Sequence, residues 1–333
     1  MSLYLNKSLY CYTMQDNNIP WIEKYRPSKL ENIKSQDFIK TSLQKLVEQN
    51  TIPHLLFFGS SGTGKTSSIL ACIKELEAKG YIVSKLELNT SDQRGIKTVR
   101  KKIKEFATTQ SFFKNGLKII ILDEADYMTN IAQCALRQII EKYSKNVRFC
   151  IICNYINKII PAIQSRCMKF RFSLLTDDEM RDKIEYIVKQ EKLNISDKAI
   201  TTIISLSGGD MRKSINILQT IPIFCKNKTI NDNDIRICLG YPTESIITNI
   251  YIILSNNKKI QTKYNLINDI IKNNGILLCN LLQCLHKMVL KNKETFTKKK
   301  LIYILKTFAV IELHLTQNVN ENIQLGILVS SFS

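Results

Sequence analysis

Between residues 54 and 172, short and strongly apolar runs recur at wide intervals, and this recurrence restricts the fold more than anything else in the chain. The runs are "HLLFF" (54–58), "SKLELN" (84–89), "KIIILDE" (118–124), "RFCIIC" (148–153) and "KFRF" (169–172). Runs this apolar fit strands buried on both faces of a parallel sheet. The stretches between them carry apolar residues at helical spacing. Alternation of strand and helix implies an α/β sandwich, a parallel sheet with helices on both sides. After Phe172 the strands stop. "TDDEM" (176–180) places Thr176 three residues before Glu179, a capping-box signature that opens a helical region. A "GGD" break at 208–210 and "YPT" at 241–243 divide that region, and apolar stripes at 246–254, 276–290 and 301–315 are helical. The expected organisation is an α/β domain over 19–173, a small helical domain over 174–240 and a C-terminal all-helical domain over 241–333. Residues 1–18 are expected to be an N-terminal tail, disordered, with Met14 an alternative start.

Composition narrows the class of partner. With 48 Lys and Arg against 29 Asp and Glu, the formal charge is +19. Such an excess favours a polyanionic partner such as nucleic acid, although a Lys-, Asn- and Ile-rich composition also contributes. The ten cysteines form no regular framework. Several fall in apolar runs, Cys72, Cys134 and Cys279 among them, and are expected to be buried free thiols in a reducing compartment. Cys150 and Cys153 form a close pair inside one apolar run, with no second pair to complete a zinc site. No apolar run approaches the ~20 residues of a membrane span. The N-terminus lacks the basic start and apolar stretch of a signal peptide, so an intracellular protein is expected.

Chemistry concentrates at the ends of the predicted strands. "FFGSSGTGKTSS" contains G-x-x-x-x-G-K-[ST] from Gly59 to Thr66, after an apolar run and before a helix. Gly59, Gly62 and Gly64, with Thr63, let backbone N–H groups turn inward around phosphate oxygens, and the helix that comes next aims its positive end there. Lys65 then reaches the β and γ phosphates of ATP, and Thr66 supplies a hydroxyl to Mg2+. "IIILDEAD" delivers Asp123 to the C-terminal end of a strand, where it can hold the same Mg2+, and Glu124 beside it can polarise an attacking water. Asn154 ends the "RFCIIC" strand and, on a neighbouring strand, would lie near the γ-phosphate; equally, Asn is a common turn residue at strand ends. Arg212 in "GGDMRKSINIL" starts a helix and is either a γ-phosphate contact or a solvated helix charge. Arg166 in "IIPAIQSRCMKF" reads by itself as a surface turn residue in a local salt bridge.

In order along the chain these motifs resemble those of the AAA+ ATPases, and within them the small subunits of replication factor C, the eukaryotic sliding-clamp loader. "WIEKYRP" (21–27) resembles that family's N-terminal box, "LELNTSDQRGI" (86–96) its second strand and helix start, "RFCIICNY" its first sensor, "QSRC" its arginine-finger motif and "GGDMRKSINILQ" its second sensor. The likeness covers about residues 19–240; beyond, it rests mainly on length and helical pattern. "FFKNGLK" and "NKIIPAIQSRCMKFRF" look most like the branch counted as subunit five in human and subunit three in yeast numbering. The resemblance implies an AAA+ domain, a helical lid and an oligomerising collar in a hetero-pentameric ring. It implies ATP hydrolysis coupled to loading a sliding clamp onto primer–template DNA in the nucleus. Tyr25, Arg26 and Pro27 would join the ATP site. Arg166 would act in trans, on the γ-phosphate held by the neighbouring subunit, where a planar and permanently charged guanidinium suits charge spread over phosphate oxygens. One departure is visible: Ser60 and Ser61 stand where the family usually carries two prolines, leaving the loop's Lys and Thr intact. Two other readings share the motifs, namely a ring member that binds ATP with little turnover and a subunit of an alternative or checkpoint loader. A branch-migration motor fits less well, because "QSRC" and "WIEKYRP" point to loaders.

Two surfaces complete the expectations. "SDQRGIKTVRKKIKEF" (91–106) is a basic amphipathic helix, with Ile96, Val99, Ile103 and Phe106 mostly on one face and Arg94 and Arg100 elsewhere. In the resembling family this helix tracks duplex phosphates, so Arg94 and Arg100 are the expected DNA contacts, independent of base sequence and sensitive to salt. "TTQSFFKNG" (108–116) places Phe112 and Phe113 in a loop, where exposed aromatics call for a partner surface. The resemblance makes that partner the clamp.

Overall fold

The computed structural model describes residues 19–33, 37–49, 51–90, 96–108, 116–225, 229–256, 259–317 and 319–332, with backbone alone for 96–100. The expected tail 1–18, Arg94, Phe112 and Phe113 lie outside these residues, as does the side chain of Arg100. The first part of the chain runs α1 (Trp21–Lys24), α2 (Asp37–Glu48), β1 (Leu55–Gly59), α3 (Lys65–Ala78), β2 (Ile82–Asn89) and α4 (Ile96–Thr108). It continues with β3 (Gly116–Asp123), α5 (Asn130–Tyr143), β4 (Val147–Cys153), α6 (Pro161–Gln164) and β5 (Met168–Phe172). All five expected strands are present, within a few residues of the apolar runs that mark them.

The strands form one parallel sheet in the order β2-β3-β4-β1-β5. After β1 the chain crosses to β2 at the far edge, steps back through β3 and β4, and then passes to the other side of β1. The C-terminal ends of β1, β3 and β4 therefore share one edge of the sheet, with β4 between the other two. Side chains along each strand alternate between two apolar layers, as the pleat requires. Leu55, Phe57, Ile119, Ile121 and Ile152 pack with Ile39 and Leu43 of α2 and Ile69 and Ile73 of α3. Leu56, Ile120, Leu122, Phe149 and Ile151 pack with Ile103 of α4 and Leu136 and Ile140 of α5. The alternation also separates Cys150 from Cys153: the first lies in one layer and the second in the other. That pair points to opposite faces of β4 and cannot converge on one metal ion.

The next helices are α7 (Asp177–Gln190), α8 (Asp197–Ser207), α9 (Met211–Cys225) and α10 (Asp232–Cys238). Thr176 and Glu179 form the expected reciprocal cap on α7. The last five helices are α11 (Glu244–Ser255), α12 (Ile260–Asn274), α13 (Leu278–Lys291), α14 (Lys298–Thr316) and α15 (Glu321–Ser331). The described residues divide into two compact units, one within 19–193 and 203–219, the other within 194–202 and 220–332. The second unit has its own core, in which Leu281, Leu285, Ile304, Ile311 and Leu328 are fully buried. No described helix is long and apolar enough to cross a membrane.

Burial of the thiols differs in part from expectation. Cys72 is buried, but Cys134 and Cys279 are exposed. Both sit in helices whose buried stripes pass them by: Ala132, Gln133, Leu136 and Ile140 in α5, and Leu278, Leu281, Leu282 and Leu285 in α13. An apolar run places a residue in a helix, and only its angle around the axis decides burial.

Candidate functional site

The loop between β1 and α3 is shaped by glycine. Gly59, Gly62 and Gly64 all have positive φ, at 143°, 70° and 92°. A Cβ at Gly59 would lie 2.0 Å from the carbonyl oxygen of Phe172, and one at Gly62 would lie 1.7 Å from Oδ1 of Asp210. The loop thus needs glycine both for its backbone angles and for the approach of its neighbours. Thr63 steadies it, its hydroxyl donating to the carbonyl of Ser60 at 2.8 Å.

Lys65 opens α3 and folds back over the loop. Its Nζ donates to the carbonyls of Gly59 and Ser60, both at 2.7 Å, and to Oδ1 of Asn154 at 3.1 Å. Asn154 reaches it because β4 lies next to β1 and ends at the same edge. The next residue, Thr66, donates its hydroxyl to Oδ2 of Asp123 at 2.8 Å, at the end of β3. Sheet order, not proximity in sequence, therefore unites the loop, Asp123 and Asn154.

Glu124 has φ of +56°, a left-handed conformation that few residues other than glycine adopt. It is held there from two sides. Its N–H donates to Oδ1 of Asp123 at 2.9 Å, and its carbonyl accepts from the hydroxyl of Thr90 at 2.6 Å. Asp123 thus binds Thr66 with one oxygen and fixes the backbone of Glu124 with the other. Backbone strain held this firmly clusters at functional positions.

The cavity sets two cations against two carboxylates, so the place for an anion is local, on the side of the loop and Lys65. Lys65, Thr66, Asp123, Glu124, Asn154 and Arg212 line one open cavity of about 470 Å³. Burial, with the Arg212 guanidinium as the next cause, pushes the Lys65 ammonium below the usual lysine range, against the opposing pull of Asp123. Two cations face one space, and phosphate oxygens would relieve both. The N-terminus of α3 adds its own partial positive charge. The backbone of Arg212 is held by Asp210, whose Oδ1 accepts from the N–H groups of Arg212 and Lys213 at 2.8 and 3.2 Å and so caps the start of α9. The N–H of Met211 donates to the carbonyl of Gly62 at 3.4 Å, which ties that helix start to the phosphate loop.

A second, open cavity adjoins the same loop through Gly62, Thr63 and Gly64. Tyr25, Arg26 and Pro27 line it together with Ile33, Met211 and Ile215. Apolar walls beside a phosphate cradle suit the flat, weakly polar part of a nucleotide. The "WIEKYRP" segment is itself pinned: the Tyr25 hydroxyl and the Lys24 ammonium both donate to Oε1 of Glu191, and the N–H of Trp21 donates to Gln219. Burial raises the Glu191 carboxyl, but the hydrogen bonds from Lys24 and Tyr25 outweigh it and hold its pKa below the usual value. Thr66 and Asp123 offer a hydroxyl and a carboxylate side by side, hard oxygen donors of the kind Mg2+ takes when most of its shell is water.

Arg166 does not line either cavity. It comes just after α6 at the surface, with its Nη2 2.5 Å from Oε1 of Glu141 and its Nη1 donating to the carbonyl of Ala162 at 2.6 Å. The local salt bridge read from sequence is thus present.

Sequence reasoning misses several partners. Asp210, Thr90, Glu191 and Glu141 do not stand out in the linear pattern, nor does Gln133, which is buried in α5. The Gln133 amide nitrogen donates to the carbonyls of Met128 and Lys158, and its oxygen accepts from the N–H of Ile160, so it clamps the segment leading to α6. A polar residue on an apolar helical stripe is the available signal for Gln133, and an Asp directly before a helix is that for Asp210. For Thr90 and Glu191 no local pattern exists.

The family of ATPases associated with various cellular activities matches residues 55–174. A lid-domain family described as RCF1/5-like, AAA+ ATPase matches 182–223, and the replication factor C C-terminal domain matches 242–331. The chain is 43% identical to human replication factor C subunit 5 over 95% of its own length and 92% of that protein's. It is 44% identical to subunit 3 of Schizosaccharomyces pombe over 95% and 91%, and 39% identical to subunit 3 of Saccharomyces cerevisiae over 95% and 94%. Among solved structures, the Thermotoga maritima RuvB Holliday junction branch migration motor shares the fold, with a TM-score of 0.52, 15% identity and coverage of 76% of this chain and 86% of that one. At that identity the likeness concerns fold alone.

Proposed function

Because the chain belongs to the replication factor C subunits, within the AAA family of ATPases, we propose that it works as an ATP-hydrolysing subunit of a clamp loader, placing a sliding clamp on primer–template DNA in replication and repair. The observation that carries this reading is the meeting of Lys65, Thr66, Asp123 and Asn154 at one edge of the sheet.

ATP is the substrate. The loop N–H groups, the start of α3 and Lys65 bind its phosphates, and Tyr25, Arg26 and Pro27 border the cavity for its base. Thr66 and Asp123 would hold Mg2+, which supplies positive charge against that developing on the phosphate oxygens. Glu124, fixed in its left-handed turn, orients and polarises the attacking water. Asn154 holds Lys65 from the γ-phosphate side. Arg212 distinguishes a bound γ-phosphate from its absence. The catalysis is positioning plus charge stabilisation, with no covalent intermediate.

Arg166 acts at a different seam. Exposed and outside both cavities, it is free to meet the γ-phosphate held by a neighbouring subunit. This chain's own site is completed in the same way from its other side. Residues 174–240 act as a lid and 241–333 as the collar through which subunits assemble. Arg94 and Arg100 are assigned to duplex phosphates, and Phe112 and Phe113 to the clamp, on the strength of the family likeness. A role in loading clamps for replication puts the protein in the nucleus.

The test is reconstitution with the other clamp-loader subunits, a sliding clamp and primed circular DNA. ATP-dependent retention of the clamp on DNA is expected, and Lys65→Ala should abolish ATP binding by this subunit and reduce loading. Failure to assemble, or ATP-driven processive unwinding in place of loading, would overturn the reading.

A further inference from the structure

We infer that Glu141 is the positioning residue for Arg166, holding its guanidinium ready for a phosphate on the neighbouring subunit; the inference rests on the proposed role of Arg166 in trans. The geometry is an anchor at both terminal nitrogens of the guanidinium. Glu141 lies in the last turn of α5 and contacts Nη2 of Arg166 at 2.5 Å. The carbonyl of Ala162, in α6, accepts from Nη1 at 2.6 Å. A guanidinium carries five N–H donors in a rigid plane. Nη1 also donates to Oγ of Ser165 at 3.4 Å, so contacts at both terminal nitrogens fix that plane and leave the second hydrogen of Nη2 to offer.

Stability is not a sufficient reason for this pair. Its side chains are 37% and 41% exposed, and exposed ion pairs contribute little to folding. Orientation is another matter. Arginine has a long stem with many rotamers, and a group that must act at the moment a neighbour closes gains by being ordered beforehand. Glu141 supplies that order from a helix that is itself fastened to the sheet through Leu136, Ile139 and Ile140.

Arg137 adds a second cation to the corner. It stands one turn before Glu141 on α5, with its Nε 3.8 Å from the same Oε1. That Nε is buried and makes no hydrogen bond. Two guanidinium groups therefore share one carboxylate, and the cluster keeps a net positive charge at the surface. Glu141 orients Arg166 without cancelling the charge that an incoming polyphosphate would meet.

The experiment uses the complete ring with clamp and primed DNA, and compares steady-state ATP hydrolysis for wild type, Glu141→Gln, Arg166→Ala and the double variant. Glutamine keeps the shape of the side chain and removes its charge. The expected result is a fall in kcat of about two- to ten-fold, the range that ordering one long side chain accounts for. KM for ATP should be unchanged, because ATP is bound by the other subunit's loop. In the Arg166→Ala background, Glu141→Gln should cost nothing more. An unchanged or raised kcat, or an equal further loss without Arg166, would overturn the inference. If Arg166→Ala itself leaves the rate intact, the trans role fails and Glu141 falls with it. If Arg166→Ala is severe and Glu141→Gln is silent, only the positioning role fails. Ring assembly and melting of each variant separate these outcomes from misfolding.

Discussion

The C-terminal edge of the sheet and the α5–α6 corner each present an arginine, and they do opposite things with it. At the sheet edge Arg212 lines the cavity that already holds Lys65, Thr66, Asp123 and Glu124. At the corner Arg166 is paired with Glu141 and lines neither cavity. On the proposed function, one region would bind and polarise, and the other would offer a charge to a neighbour. Such a chain would hold parts of two sites, and a neighbour's guanidinium would complete its own. Hydrolysis should accordingly be slow in the isolated subunit and fast in the ring.

The largest expected effect tests that division directly. In the ring, Arg166→Ala should lower hydrolysis at the seam it serves by about 10³-fold or more, the range for arginines supplied in trans. ATP binding by the isolated Arg166→Ala chain should equal that of wild type. Weakened binding by the isolated chain would place Arg166 in its own site and collapse the comparison. Next is Glu124→Gln, expected to lower the chain's own turnover about 10²-fold with ATP affinity retained, as removal of a general base does. Single-turnover hydrolysis, with binding measured separately, checks it. Loss of ATP binding would instead mark Glu124 as part of the phosphate cradle.

The two regions are unequally legible in the sequence. Strand positions, the phosphate loop and Asp123 can be read from residue pattern alone, because buried parallel strands and glycine turns leave local signatures. Asn154 needs sheet order: only with β4 between β3 and β1 does a strand-end Asn reach Lys65. Arg166 is harder still. Its sequence context predicts the salt bridge that the structure contains, and only family resemblance raises a role beyond it. Glu141 is invisible because its partner lies on another element. The thiols mislead for a related reason: Cys134 and Cys279 sit in apolar runs but on the outer sides of their helices. Linear pattern specifies what an element is, and much less which face meets which neighbour.

Arg212→Ala sharpens the sheet-edge half. Beside the suppressed ammonium of Lys65, Arg212 should contribute more to a triphosphate than to a diphosphate. Preference for ATP over ADP should fall about ten-fold, as loss of one charge-assisted hydrogen bond would give. Equal losses for both nucleotides would make Arg212 a general phosphate contact and not a reader of the γ-phosphate.

The smallest expected effect comes from a methyl group. Gly62→Ala would place a Cβ 1.7 Å from Oδ1 of Asp210, at a φ of +70° that alanine adopts at a cost of about 1–2 kcal/mol. Asp210 cannot simply step aside, because that oxygen caps the N–H groups of Arg212 and Lys213. The strain should pass along this contact and shift Arg212, so ATP affinity is expected to fall about three- to ten-fold, less than the 1–2 kcal/mol would give if none relaxed. Combining variants then probes both regions at once. Gly62→Ala with Arg212→Ala should be less than additive in ATP affinity, since both act through one helix start. Gly62→Ala with Arg166→Ala should be additive in hydrolysis rate, since the two sites share no partner. Non-additivity in the second pair would mean that the phosphate loop and the α5–α6 corner communicate within one subunit, and the exported arginine would then answer to the nucleotide its own chain holds.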